Sequence, residues 1–272
     1  MQNVEIRSLG KNDFRTKEAY KTLRTNLEFA GKKVKVISLT SCTPSEGKTS
    51  TSFQLALSIA ETGKRTILVD ADLRKSVMRG RYKVSHEQYG LSHYLSGQVN
   101  LDEAVCSTNV PNFHIIFAGP VPPNPSELLG NDNFKDMLEQ LRRDYDYVII
   151  DTPPLGSVID GAVVASKCDG AVIVIEANAI SYKFAQSVKG QLDKAGCRIL
   201  GCVLNKVNMS QGGYYGKYYG KYYGKYYGYE NTEEVSLQDS VMKKNKKDTQ
   251  KITLEAEQQG NDDVELIVEE TL

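Results

Sequence analysis

Residues 42–49 read CTPSEGKT, a run of small residues that closes on Gly47, Lys48 and Thr49. The spacing is that of Gly-x-x-x-x-Gly-Lys-Ser/Thr, with Cys42 in place of the first glycine. In such a loop the backbone N–H groups around Ser45, Glu46, Gly47, Lys48, Thr49 and Ser50 face phosphate oxygens. The helix that follows adds partial positive charge. Lys48 would bridge the β- and γ-phosphates of ATP, and Thr49 would set its hydroxyl on Mg²⁺. Two apolar runs end in carboxylates: ILVDADLR carries Asp70 and Asp72, and VIID carries Asp151. Hard carboxylate oxygens suit Mg²⁺, which keeps several of its waters. A single aspartate at a strand end is often a cap or turn residue. Three of them converging on one phosphate loop point to a metal–nucleotide site.

A second feature lies far downstream. Nine of the sixteen tyrosines fall within residues 214–229, which read YYGKYYGKYYGKYYGY. They are Tyr214, Tyr215, Tyr218, Tyr219, Tyr222, Tyr223, Tyr226, Tyr227 and Tyr229. Alone, such a segment reads as a sticky low-complexity tail. Behind a phosphate-handling site it reads as a substrate carried on the same chain.

These groups need a frame that brings strand ends together. Residues 14–30 have Tyr20, Leu23, Leu27 and Ala30 on one helical face. Strands are expected over 34–40, 65–70, 113–118, 147–151, 170–176 and 197–205, and helices from the loop to about 62, near 157–167 and over 181–195. Ser126 is expected to cap a helix running to about Arg143. Apolar strands alternating with helices imply an α/β fold, a mostly parallel sheet flanked by helices, whose ligands sit beyond the carboxyl ends of the strands. Asp70, Asp72 and Asp151 stand at such ends. The expected organisation is a domain over 1–208, a tyrosine-rich tail over 209–229 and a polar, disordered extension over 230–272. The closing stretch DDVELIVEE is the one candidate there for a short docking segment.

Composition narrows the class. Formal net charge is zero, which implies no overall pull toward nucleic acid. Cys42, Cys106, Cys168, Cys197 and Cys202 show no metal or redox spacing and suit a reducing compartment. The first residues lack the apolar region of a signal peptide, and no window approaches the length of a membrane span. A cytoplasmic protein is expected, with any membrane role coming through a partner.

Taken together, the motifs resemble the bacterial tyrosine kinases. That family combines a P-loop, a second motif of the form apolar run–Asp-x-Asp-x-Arg, a Walker B aspartate and a C-terminal tyrosine cluster. Here these are residues 42–49, 67–74, 148–151 and 214–229, and AGPVPPNPSELL (118–129) also fits. The resemblance covers about residues 14–229. It implies a P-loop kinase fold and an ATP- and Mg²⁺-dependent protein-tyrosine kinase that phosphorylates its own tyrosine cluster. Lys48, Asp70 and Asp72 would be catalytic, and Thr49, Asp72 and Asp151 would serve the metal. Asp70 is assigned to activating the tyrosine hydroxyl and Asp72 to the metal, or the reverse. Arg74 would meet either phosphate or a carboxylate, and Asp160 matches a family position without a role.

The split form of the family works with a separate transmembrane activator of capsule or exopolysaccharide assembly, which would hold this chain peripherally at the membrane. A homo-oligomeric ring and a cognate tyrosine phosphatase are further implied partners. The ring motif Glu-x-x-Arg-x-x-Arg appears here as Glu18, Lys21 and Arg24, and lysine lacks arginine's bidentate fork. Two other readings use the same residues. One is a P-loop ATPase switch without kinase activity, although such proteins often carry a lysine where Thr43 stands. The other is a non-catalytic adaptor whose tail another kinase modifies.

Overall fold

The computed structural model describes residues 1–9, 13–84, 89–207 and 264–267. By compactness the chain divides into one unit of Met1–Val207 with Asp262–Leu272 and a second of Asn208–Asn261. The tyrosine cluster lies outside the described residues, as does most of the expected extension.

One sheet organises the first unit. Its strands are β1 (Gln2–Val4), β2 (Val36–Ser41), β3 (Thr66–Asp70), β4 (Cys106–Thr108), β5 (Phe113–Ile116), β6 (Tyr147–Asp151), β7 (Gly170–Glu176), β8 (Ile199–Asn205) and β9 (Val264–Ile267). Their spatial order is β1-β4-β5-β3-β6-β2-β7-β8-β9. The six strands from β5 to β8 run parallel, while β4 meets β5 and β9 meets β8 antiparallel. The central strands are continuous apolar runs because helices cover both of their faces.

Alternation along the strands sorts side chains between two layers. Ile37, Leu39, Leu68 and Ile149 pack with Tyr20, Leu23 and Leu27 of helix α1 (Phe14–Phe29) and with Phe53 of α2 (Lys48–Ala60). Val36, Ile67, Val69, Val148 and Ile150 face the other way. They meet α4 (Leu91–Leu95), α5 (Leu101–Ala104), α6 (Pro125–Gly130), α7 (Asp132–Asp144) and α8 (Asp160–Ala165). A third cluster joins Ala171 and Ile173 of β7 to Val188 and Leu192 of α9 (Tyr182–Lys194). Among the described residues, no helix is long and apolar enough to cross a membrane.

The expected elements fall within a few residues of those observed, with one break. The single helix expected from Ser126 to Arg143 is two helices, α6 and α7. Asn131 adopts an extended backbone between them, and its side chain accepts from the Phe134 amide to cap α7. Ser126 caps nothing: its hydroxyl turns to Asp160. The short α3 (Met78–Arg81), β1, β4, α4 and α5 carried no legible pattern. Val264–Ile267, within the stretch read as a polar extension, forms an edge strand.

Candidate active site

The loop between β2 and α2 is held open by backbone geometry. Ser45 and Gly47 both take positive φ, at 69° and 88°, so successive N–H groups can turn toward one point. Gly47 is the N-cap of α2, and no side chain caps that end, which leaves first-turn donors available to an anion. Glu46 does not enter this cradle with its carboxylate. The side chain is buried and accepts from the amides of Thr43 (2.6 Å) and Glu176 (3.4 Å), bracing the loop against β7. Burial raises its pKa, and those amides partly offset the rise. Cys42 fits where the motif has glycine because no positive φ is required there. Burial, then the nearby Glu46, pushes its thiol up to about 12, so it is inert packing.

Gly47 itself cannot be replaced. A Cβ there would stand 1.8 Å from Asn205 Nδ2, the atom that donates to Glu46 O at 2.9 Å. Gly47→Ala is expected to weaken ADP binding by at least about tenfold, since either the loop or Asn205 must move. Calorimetric titration checks this, and unchanged affinity would refute it.

The three aspartates do converge, though unequally. Asp70 and Asp151 are register partners on the adjacent strands β3 and β6, and both are 1% exposed. Asp151 collects three donors: Lys48 Nζ at 2.7 Å, Thr49 Oγ1 at 2.7 Å and Ser52 Oγ at 2.9 Å. Asp70 accepts a close hydrogen bond from Ser76 Oγ and one from the Asp72 amide at 3.3 Å. Burial first, then the adjacent Asp151, pushes Asp70 up to about 7; Ser76 and Lys48 oppose the rise. Asp72 stands farther out, with its side chain accepting from the Lys75 amide at 3.0 Å.

Arg74 proves to pair with a carboxylate. It donates to both oxygens of Asp160, at 2.7 and 3.1 Å, and to Ser126 Oγ at 2.9 Å, while Ser126 donates to Asp160 at 2.6 Å. Burial pushes Asp160 up, but the hydrogen bonds from Arg74 and Ser126 outweigh it and hold the carboxyl below its usual value. This clamp ties the 70–76 segment to the starts of α6 and α8. Arg74→Ala would leave the fully buried Asp160 short of its cation. The loss is expected to be roughly 2 kcal/mol, below the fully buried case because the guanidinium is partly open to water. Chemical unfolding measures it, and Arg74→Ala with Asp160→Asn should recover most of the loss.

Of the expected ring residues, Glu18 and Lys21 pair with each other at 2.6 Å on α1. Arg24 donates to the Ser58 carbonyl at 2.7 Å, so within one chain it is used against α2. Four contributors escaped the sequence reading. Ser52 reaches Asp151, Ser76 reaches Asp70, Asn205 buttresses the loop, and Arg81 donates a close hydrogen bond to Ser50 Oγ. Ser52 carried a signal, lying four residues past Lys48 and so one helical turn on; the others are fixed only by tertiary packing.

A phosphate loop on the central strand of a mostly parallel sheet, with carboxylates at neighbouring strand ends, defines a P-loop nucleotide-binding protein. Residues 34–196 match the family model described as AAA domain. The tyrosine-protein kinase CpsD of Streptococcus agalactiae is 45% identical over 208 residues, covering 75% of this chain and 91% of that protein. The tyrosine-protein kinase YwqD of Bacillus subtilis is 35% identical over 204 residues, covering 73% and 86%. The kinase domain of the Escherichia coli tyrosine kinase ETK superposes with a TM-score of 0.66 at 36% identity, covering 68% of this chain and 73% of that one. The chain belongs to the bacterial tyrosine kinase family and is a protein-tyrosine kinase.

Proposed function

We propose that the kinase uses Mg-ATP to phosphorylate the tyrosines of residues 214–229 on its own chain or a neighbouring copy. The observation that carries this reading is the second buried carboxylate, Asp70, set in register beside Asp151 at the nucleotide loop. A carboxyl beside the phosphate cradle can accept the proton of an attacking hydroxyl, and the tyrosine cluster on the same chain supplies such hydroxyls. A tyrosine hydroxyl, with a pKa near 10, does need a proton acceptor.

The residues fit the reactants. Uncapped donors at the start of α2 suit phosphate. Among the described residues no group of three or more carboxylate, histidine or cysteine side chains could hold a metal by itself. Mg²⁺ would be held by Thr49 and, through water, by Asp151, whose side chains already meet at 2.7 Å. Mg-ATP supplies the γ-phosphoryl group and neutralises charge on its oxygens. Lys48 would move from Asp151 to the β- and γ-phosphates, and Asp70 would take the proton of the attacking hydroxyl. The tyrosine oxygen–phosphorus bond forms as the β,γ-bridging bond breaks, and ADP leaves with that electron pair. Asp72, at the mouth, would assist the metal, and Arg74 would act through Asp160 by fixing the 70–76 segment.

The wider role follows from the family. A transmembrane activator would switch the kinase on, copies would assemble through Glu18, Lys21 and Arg24, and a cognate tyrosine phosphatase would reverse the reaction. The process served would be capsular or exopolysaccharide synthesis and export. Each phosphate adds about −1.5 to −2 charge, so a heavily modified tail favours disassembly of a ring. The test is phosphotyrosine mapping by mass spectrometry after incubation with Mg-ATP, with and without the cytoplasmic end of a candidate activator. Phosphate on Tyr214 to Tyr229 is the expected result. ATP turnover with no tail phosphate in either condition would instead identify a nucleotide switch.

A further inference from the structure

Beyond its tyrosine cluster the chain returns to the sheet. Strand β8 closes the parallel run, and its outer edge would present a row of unpaired backbone groups. Val264–Ile267 fills that edge antiparallel, with Cys202 opposite Ile267, Val203 opposite Leu266, Leu204 opposite Glu265 and Asn205 opposite Val264. The pairing therefore begins at Asn205, the residue whose amide supports the nucleotide loop at Glu46 O. The next residue, Lys206, donates to Ser45 O at 2.8 Å and pairs with Glu176 at 3.1 Å. The end of β8 thus holds the loop from one side while it accepts a strand along its edge.

We propose that the outer edge of β8 is a strand-accepting site occupied by this chain's own Val264–Ile267, and that its occupancy is coupled to the nucleotide loop through Asn205. Main-chain pairing at a sheet edge is an established way to bind an extended segment. The same chain is the favoured donor. The connection through residues 208–263 is long, but closure entropy grows only slowly with length, and a tethered strand acts at roughly millimolar effective concentration. A second copy at micromolar concentration is outcompeted. Coupling follows because edge pairing orders Asn205, and an ordered Asn205 favours the loop conformation that takes phosphate. By linkage, nucleotide must favour strand docking by the same factor. The proposal rests on nucleotide binding at the loop and is independent of which tyrosines are phosphorylated.

The full chain offers a direct test. In Ile267→Cys the new thiol lies in register with native Cys202. Antiparallel partners have Cα atoms about 4.5–5.5 Å apart, share a face and lie within disulfide range. Diamide oxidises the two thiols to a disulfide and is itself reduced, and peptide mapping reads the product. The 202–267 link should form about tenfold faster than any link from Leu266→Cys, whose register partner is Val203. In a mixture of ¹⁴N and ¹⁵N chains, the linked peptides should carry one isotope. ADP should speed linking about threefold or more, and the linked chain should bind ADP tighter than the unlinked chain. Absence of the link, or equal linking from residue 266, overturns the site. Mixed-isotope products overturn occupancy by the same chain, and a rate indifferent to ADP overturns the coupling. Should the cysteine substitution unfold the chain, hydrogen exchange of the parent chain and a proline variant decides. Glu265→Pro, which removes the N–H facing Leu204, should speed exchange of the Cys202 and Leu204 amides about tenfold or more relative to the parent chain, and unchanged exchange would refute the docking.

Discussion

Lys48→Met is expected to lower phosphotyrosine formation by about three orders of magnitude, the scale on which aimed charge stabilises a transition state. The geometry gives two reasons. Lys48 is the one cation that hydrogen-bonds Asp151 among the described residues, at 2.7 Å, and it lies at the first turn of α2 where phosphate oxygens would arrive. Methionine keeps the length and apolar contacts of the stem and removes only the charge. It leaves Asp151 with the hydroxyls of Thr49 and Ser52, beside a second buried carboxyl on the next strand. Two such groups without a cation cannot both remain ionised at low energetic cost. The variant should therefore stay folded while holding an additional proton. Mass spectrometry of the tail and an ADP titration measure the two losses separately. Phosphotyrosine formed at the parental rate from Mg-ATP alone would overturn the site.

The placement of these residues was legible in the sequence to the extent that it depends on local order. Runs such as ILVD and YVIID announce themselves because strands covered on both faces must be apolar until they emerge, and the emerging residue is the aspartate. The phosphate loop is contiguous, so its spacing carries its meaning. What could not be read is what the sheet order decides. That Asp70 lies in register with Asp151 depends on β3 neighbouring β6, a relation between segments about eighty residues apart. Arg74 could not be assigned for the same reason, because Asp160 reaches it only once α8 has packed. The three-residue strands β1 and β4 were invisible, being too short to show a period. Glu46 was read as part of the phosphate cradle from its position. Only the fold shows that its carboxylate turns to the Thr43 and Glu176 amides.

Asp70→Asn should abolish most kinase activity and, above neutral pH, make the protein more stable. The loss of activity is expected to be about 10²- to 10⁴-fold, the range for removing a positioned base. The gain in stability follows from the raised pKa. Unfolded, this carboxyl titrates near 3.8; folded, it titrates near 7, because it is buried and stands beside Asp151. A group whose folded pKa is raised favours folding while it keeps its proton. That contribution is complete below pH 3.8, declines as pH rises and is lost once pH passes 7. At pH 8 the native state must therefore hold a buried carboxylate that the unfolded chain would leave in water. Asparagine has nearly the same shape and is neutral at every pH. Its advantage should be near zero at pH 4 and grow to roughly 2–4 kcal/mol at pH 8, several degrees in Tm. Thermal unfolding of both proteins at pH 5, 6.5 and 8 gives the profile, and a difference independent of pH would show that Asp70 is not held protonated. A gain in stability on neutralising Asp70, together with the loss of activity, would support the proposed use of this carboxyl as a base, since the fold alone would be better served without the charge.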